Sequence, residues 1–277
     1  MRRWLLGAVM LIVGVAADAQ EWIRPPPDDP SPITDHMAFR ATWFFGKAST
    51  RAQINPVQIN ATQTVAGTDF NVEHELGLTD KAQQFRAELM FRLEDRNRLR
   101  VGFLDLRRNG DAIVDEDIVF GQQVFTKGEE VRSEVGYQQF DVAYTYSILR
   151  GKRYELGAGV GVQFIQASAQ GTVTNPSKFE RFDGSTPFAE PLLDGTFLIA
   201  RHWSFNARAQ YLHVTVANTS GLFEDYHADI QYRYHTALGL GIGYEWQRTE
   251  VRLFQSNLSG SVDLKLHGPE VFLRASF

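Results

Sequence analysis

Apolar and polar residues alternate with a period of two along most of the chain, the pattern of strands with one greasy and one wettable face. In QFRAELMFRL, Phe85, Ala87, Leu89, Phe91 and Leu93 fall on one side and Gln84, Arg86, Glu88, Met90 and Arg92 on the other, which predicts a strand near 82–93. QFDVAYTYSI, YELGAGVGVQF, WSFNARAQY, DYHADIQYRYH and TALGLGIGYEW repeat the rule, and weaker alternation marks 37–46, 98–107, 188–200 and 261–277. In the last stretch Val262, Leu264 and Leu266 are apolar at even positions, but Val271, Leu273, Ala275 and Phe277 at odd ones. A bulge or break at Gly268-Pro269 is therefore expected to shift the apolar face.

The connections alternate in length. EDRN near Glu94, RGKR near Gly151, Arg201-His202 and a reversal at His235-Thr236 predict tight turns, whereas 47–80, 108–131, 168–187 and 216–224 predict long loops. Within the long set, RAQINPVQI and DIVFGQQVF are strand-like and could prolong a barrel. Short turns at one end and long loops at the other are the habit of bacterial outer-membrane barrels.

Alternation does not say whether the apolar face looks inward, as in a soluble ligand carrier, or outward, as in a membrane barrel. The aromatics favour outward. Tyr144, Tyr146 and Tyr154 flank one tight turn, Trp203 and Phe205 follow another, and Tyr232 and Tyr234 precede a third, all on the apolar face, as a girdle at a membrane interface would. Arg86, Glu88, Arg100, Asp141, Glu155, Asp194, Arg208, Asp229, Arg233, Glu245 and Arg274 share the opposite face. Turned to lipid, each Arg would cost about 2–4 kcal/mol near the midplane; turned inward, opposite charges can neutralise one another. The expected fold is all-β: an antiparallel up-and-down transmembrane β-barrel of about ten strands, with eight or twelve as the other even counts, and a charge-plugged lumen.

Composition agrees with export. No apolar run after residue 19 is long enough to cross a bilayer as a helix, while 12% of residues are aromatic, and only a closed barrel lets such a sequence satisfy its backbone in lipid. There is no cysteine, so disulfides and thiolate metal sites are excluded. A net charge of -5 leaves no cation surplus for nucleic acid. Arg2 and Arg3, the apolar run Trp4–Val15 and Ala17-Asp18-Ala19 read as a signal peptide over 1–19. Residues 20–35, rich in proline, read as a periplasmic tail, and 36–277 as the barrel.

The final strand GPEVFLRASF, with Leu273, Ala275 and the terminal Phe277, looks like the assembly signal of outer-membrane barrels. DFNVEHELGL, RYELGAGVGV and the stretch from GLFEDYHADIQYRY into GLGIGYEW are similar to a family of proteobacterial outer-membrane barrels, small and OmpA/OmpX-like in the broad sense. That resemblance covers most of 36–277. It implies topology, an outer-membrane location, lipid and lipopolysaccharide as neighbours, the barrel-assembly machinery as a partner in biogenesis, and a monomer. It brings no catalytic residues.

Candidate chemistry is sparse. Asp225, His227 and Asp229 alternate onto one face near the expected outer end of a strand, where a carboxylate beside a histidine could serve a hydrolase, with Asp115 and Asp117 across the mouth, a faint echo of the omptin proteases. Pairing with Arg208 or another lumen cation is the simpler reading. His213 shares the apparent lipid face with Tyr211 but has no serine two positions away, as a lipid-acting enzyme would need. The seven histidines lack metal-ligand spacing, and GLGIGY has the period of a strand, so neither metal nor cofactor is expected. A structural or surface role ranks first, a narrow channel second, and a hydrolase using Asp225 and His227 third.

Overall fold

The computed structural model describes residues 31–277 apart from 55–56, 61–62, 66–67, 116, 121–122, 174–176, 217 and 256–257. The expected signal segment and most of the tail lie outside the described residues. Ten long strands form the wall: β1 Met37–Ile54, β2 Lys81–Glu94, β3 Asn97–Ile113, β4 Glu130–Arg150, β5 Tyr154–Val173, β6 Lys178–Ala200, β7 Trp203–Val216, β8 Thr219–His235, β9 Leu238–Gln255 and β10 Leu258–Ser276. Each pairs antiparallel with its neighbour in sequence, and β10 pairs with β1, so the sheet closes on itself. Closure extends to the last residue: Met37 N–H donates to the Phe277 carbonyl at 3.1 Å, and Phe277 N–H to the Met37 carbonyl at 2.8 Å.

The four predicted tight turns are present at one end, together with the start of β1 and the end of β10. The opposite end differs from the prediction. Residues 168–187 and 216–224 are not long loops; β5 continues to Val173, β6 begins at Lys178, and β7 and β8 approach to within Val216 and Thr219. These extensions carry polar residues such as Arg181 and Asp183 on their outer side, so the apolar alternation that announces a strand lower down is missing. Pro187 and Pro191 are tolerated because β6 pairs with β7 only from Leu192 onward, leaving that edge without a strand partner. The connections 55–80 and 114–129 are long. Of the strand-like stretches in them, Arg51–Ile54 belongs to β1. Val57–Asn60 with Gln63–Val65 and Ile118–Phe120 with Gln123–Phe125 form separate small hairpins. Thr68–Asn71 adds to the end of β1, and the single helical turn Val72–Glu75 follows.

The expected face shift at Gly268-Pro269 does not occur. The β9–β10 register runs unbroken from Leu238↔Ala275 to Gln255↔Leu258, and even-numbered residues of β10 from Leu264 to Ser276 face the lumen on both sides of Gly268, while Val262 is exposed. Polarity changes because the lumen changes: Glu270 and Arg274 line its ionic part, while Leu264 and Leu266 join an apolar layer above it. Gly268 serves close approach instead, since a Cβ there would lie 2.4 Å from Gly46 Cα of β1.

Outward orientation of the apolar face is clear at positions such as Leu240, 51% exposed, and Ile242, 63% exposed. Trp43 packs edge-on against Phe85 with ring centroids 5.2 Å apart, and Trp203 against Tyr232 at 4.9 Å, both on the outer surface.

Gly268→Ala should force the β1–β10 seam apart, with a cost of about 1–3 kcal/mol for overpacking. A urea titration of the folded protein should show a lower midpoint with an unchanged slope. An unaltered midpoint would mean that the seam has room to spare.

Candidate functional site

The lumen is layered, and each layer follows from which inward positions the strands supply. At the turn end the chain itself enters. Residues 31–35, expected as free tail, are largely buried, because Asp35 (1% exposed) finds two guanidinium groups there. Its carboxylate accepts from Arg233 at 2.9 and 2.5 Å, from Arg274 at 3.0 Å and from the Ser276 hydroxyl at 2.8 Å. Beside it Arg92 forks onto Glu155 at 2.8 and 2.9 Å, and Ser147 also donates to Glu155.

One layer up, Asp194 accepts from Arg98 at 2.8 Å and Arg100 at 2.5 Å, and Glu88 accepts from Arg208 at 2.8 Å. Arg40 donates to Asp229 at 2.6 Å and to Glu270, and its guanidinium lies 3.6 Å from the centroid of the Phe272 ring. His227 Nε2 meets Glu270 at 2.7 Å. Higher again, Arg86 forks onto Glu245 at 2.7 Å to each oxygen. Glu190 is held by the amides of Gln163 at 2.5 Å and Gln210 at 2.6 Å. Asp141 faces the lumen beside Gly102 and makes no ion pair with any described residue.

Above the ionic layers the lumen turns apolar. Phe44, Ala48, Ala82, Leu104, Leu106, Tyr137, Ile165 and Leu266 form one buried cluster, with Phe188 and Leu264 packed on it. Beyond it a further ionic knot joins the helical turn to the wall, with Arg108 donating to Glu73 at 2.6 Å and to Thr50 at 2.8 Å. A second apolar cluster, Val72, Leu78, Val114, Phe125, Val131 and Val173, completes the loop end.

The remaining candidates are dispersed by this arrangement. Asp225, His227 and Asp229 are not at the outer end of a strand; they sit midway along β8, buried in the lumen at 4%, 8% and 2% exposure. The histidine is engaged by Glu270 and Arg40, and no serine or threonine hydroxyl among the described residues is hydrogen-bonded to it. Asp115 and Asp117 stay on the loop between β3 and β4, where Asp117 accepts from the Lys127 N–H at 2.8 Å. His213 lies exposed on the outer face of β7, opposite Leu222. Leu273, Ala275 and Phe277 also look outward.

Two functional positions escape a reading by alternation. Asp35 precedes the first strand, and Glu270 lies next to the glycine-proline pair that suggests a break, although its place two residues before Phe272 and four before Arg274 puts it on their face. His227, Asp229 and Glu270 bring their ligand atoms within 4.8 Å of one another, a set that could hold a metal by residue type. The Arg40 guanidinium already bonds both carboxylates and lies 3.1 Å from His227 Nε2, so the cluster's cation is part of the chain. The cavity between these layers measures about 60 Å³, the space of a few waters.

Comparison with solved structures agrees with this architecture. The outer membrane protease OmpT from Escherichia coli superposes with a TM-score of 0.55 at 10% identity, covering 87% of this chain and 96% of that one. The fold is that of a small outer-membrane β-barrel. The translocator domain of the autotransporter NalP from Neisseria meningitidis (TM-score 0.44, 8% identity, 98% and 96% covered) carries no further argument at that score. The same holds for OprG from Pseudomonas aeruginosa (0.37, 10%, 88% and 97%). No family model and no curated protein matches the chain.

Arg40→Met should leave Asp229 and Glu270 buried without their cation, a loss of about 3–5 kcal/mol. Adding Asp229→Asn and Glu270→Gln should recover a large part of it, because the uncompensated charge is removed. Chemical unfolding of the three variants would test this; equal stability of wild type and Arg40→Met would show that water compensates the carboxylates.

Proposed function

We propose that the chain is an outer-membrane β-barrel with a closed lumen, acting as a structural element or a platform for surface contacts. The observation that carries this reading is the inversion of the usual protein pattern, with ionic side chains inside and apolar ones outside. On β5 the outward series Tyr154, Leu156, Ala158, Val160, Val162 and Phe164 covers a height of roughly 26 Å for a strand tilted by about 40°. That matches the apolar band such barrels present to lipid. Tyr144, Tyr146, Tyr154, Trp203 and Tyr234, all well exposed near the tight turns, suit the periplasmic interface. In this reading the turn end is periplasmic, the long-strand end faces outward, and a signal peptide over 1–19 accounts for export. The outward Leu273, Ala275 and Phe277 are then available to the barrel-assembly machinery.

The layered lumen argues against a channel. An ion path would need to pass two apolar clusters and an ionic knot, and the charges it met would be of both signs and largely paired rather than of one sign. It argues against a hydrolase as well. OmpT is described as a protease, but the acidic and histidine residues here lie beneath an apolar layer around a cavity of about 60 Å³, which no peptide could enter.

Two measurements test the proposal together. Full-length protein should fold into lipid vesicles, and Ile242→Arg, placed in the middle of the apolar band, should cost about 2–4 kcal/mol in unfolding from them. Planar bilayers containing the wild type should stay silent. Steady conductance would restore the channel, and indifference to Ile242→Arg would remove the membrane assignment.

A further inference from the structure

The outer surface just above the apolar band is not uniform around the barrel. The first polar outward residue is Gln83 on β2, Asp105 on β3, Gln138 on β4, Gln166 on β5, His213 on β7 and Glu224 on β8. Cations gather instead in the sector where the barrel closes. Lys47 on β1 stands directly opposite Lys81 on β2 and opposite His267 on β10, and Ser49, next along the same face of β1, stands opposite Lys265. Three of the chain's six lysines thus fall on adjoining outward positions of three neighbouring strands.

Two of these lysines lack a counter-charge. Arg248 is committed to Asp263 at 3.0 Å and to Glu250, and Lys265 lies 3.7 Å from Asp263, but neither Lys47 nor Lys81 makes an ion pair with any described residue. Like charges directly opposite one another on antiparallel strands have Cβ atoms only about 5 Å apart and destabilise the pair. In the lumen nearly every cation is matched to a carboxylate, so this unrelieved pair points to a charge supplied from outside. Its position identifies the supplier. Phe45 lies two residues below Lys47 on the same face, about 7 Å along the strand, and Trp43 and Phe85 form their edge-on pair beneath it. An acyl chain lying on Trp43, Phe45 and Phe85 would bring its headgroup to the lysine row. Tyr244, whose hydroxyl meets His267 at 3.1 Å, adds a ring of the interfacial type on one flank.

We propose that Lys47 and Lys81, flanked by Lys265, bind the phosphate of an anionic lipid headgroup in the leaflet at the long-strand end of the barrel. This rests on the membrane reading above. The lysine ammonium suits the task, as a compact, hydrated point charge that remains accessible to solvent and to a headgroup moving in the plane.

The test uses the full-length protein folded in neutral detergent micelles, titrated with bisphosphorylated lipid A, with its dephosphorylated form and with inorganic phosphate, and read by native mass spectrometry. With each interfacial lysine contributing roughly a 5-fold gain in affinity, Lys47→Gln/Lys81→Gln should weaken lipid A binding on the order of 30-fold. Lys127→Gln/Lys152→Gln removes the same charge from loops at the two ends and should change it little. Lys47→Arg/Lys81→Arg should retain binding, which controls for folding. Preference for the phosphorylated lipid over the dephosphorylated one supports the proposal. Equal weakening by both Gln pairs, binding that ignores the phosphates, or inorganic phosphate competing as well as the lipid would each overturn it. The membrane reading fails separately, if wild-type protein does not enter vesicles of any composition.

Discussion

Everything in this protein depends on closing the backbone hydrogen-bond ladder between β1 and β10. An open sheet of ten strands would leave two edges of unpaired N–H and C=O groups, which water could satisfy and hydrocarbon could not. Fifteen register pairs join the two strands from Ala38↔Ser276 to Ile54↔Gly260, and the terminal Phe277 adds a reciprocal pair of bonds to Met37. The seam admits a close approach only because Gly46 and Gly268 face each other across it. Once the cylinder is closed, side chains have two destinations, and the period of two sorts them without further instruction.

The inward set then has to fill a narrow tube. Fully apolar filling would make the strands greasy on both faces, which suits a buried parallel sheet but gives the chain no way to tell lumen from lipid. Ionic filling resolves the register, since slipping one strand by a residue would turn its arginines outward. Desolvating so many charges is costly, and each pair offsets the cost only through good geometry and full partnering. The forks of Arg92 on Glu155 and of Arg86 on Glu245 meet that demand, as does Asp35, which draws residues 31–35 into the mouth. Specificity of register, more than net stability, is what these pairs supply.

How much of this could be read from the residues follows from the same sorting. β9 is legible because Leu238, Leu240, Ile242, Tyr244 and Trp246 alternate with small or acidic residues, and the four tight turns follow from where such runs stop. The upper halves of β5 to β8 are not legible, because outward positions such as Gln166, Arg181, His213 and Glu224 are polar and the apolar face that announces a strand lower down stops there, although the β5–β6 and β7–β8 ladders continue. Leu264 and Leu266 mislead for a different reason. Alternation assumes a lumen of one polarity, and this lumen is ionic below and apolar above, so a constant face looks like a shifted one. Asp35 and the Arg108–Glu73 knot lie in segments without strand character, and only three-dimensional proximity brings them to their partners.

The choice of cation separates the two surfaces of the wall. Among the described residues, every permanent cation of the lumen below the apolar layer is an arginine, ion-paired to a carboxylate in a confined space that suits a planar, weakly hydrated group. A lysine there would offer a single point charge in place of the planar fork that Arg86 and Arg92 use. Outside, at the edge of the apolar band, the cations of the seam are mainly lysines, whose ammonium groups reach water while their stems lie along the strand. Replacing the inner arginines by lysine would weaken the interior, because Arg there is valued for fixed geometry, whereas the outer cations are valued for charge and reach. The barrel therefore uses one sign of charge in two chemical forms, one to hold its interior in register and the other to meet whatever anion lies at its rim.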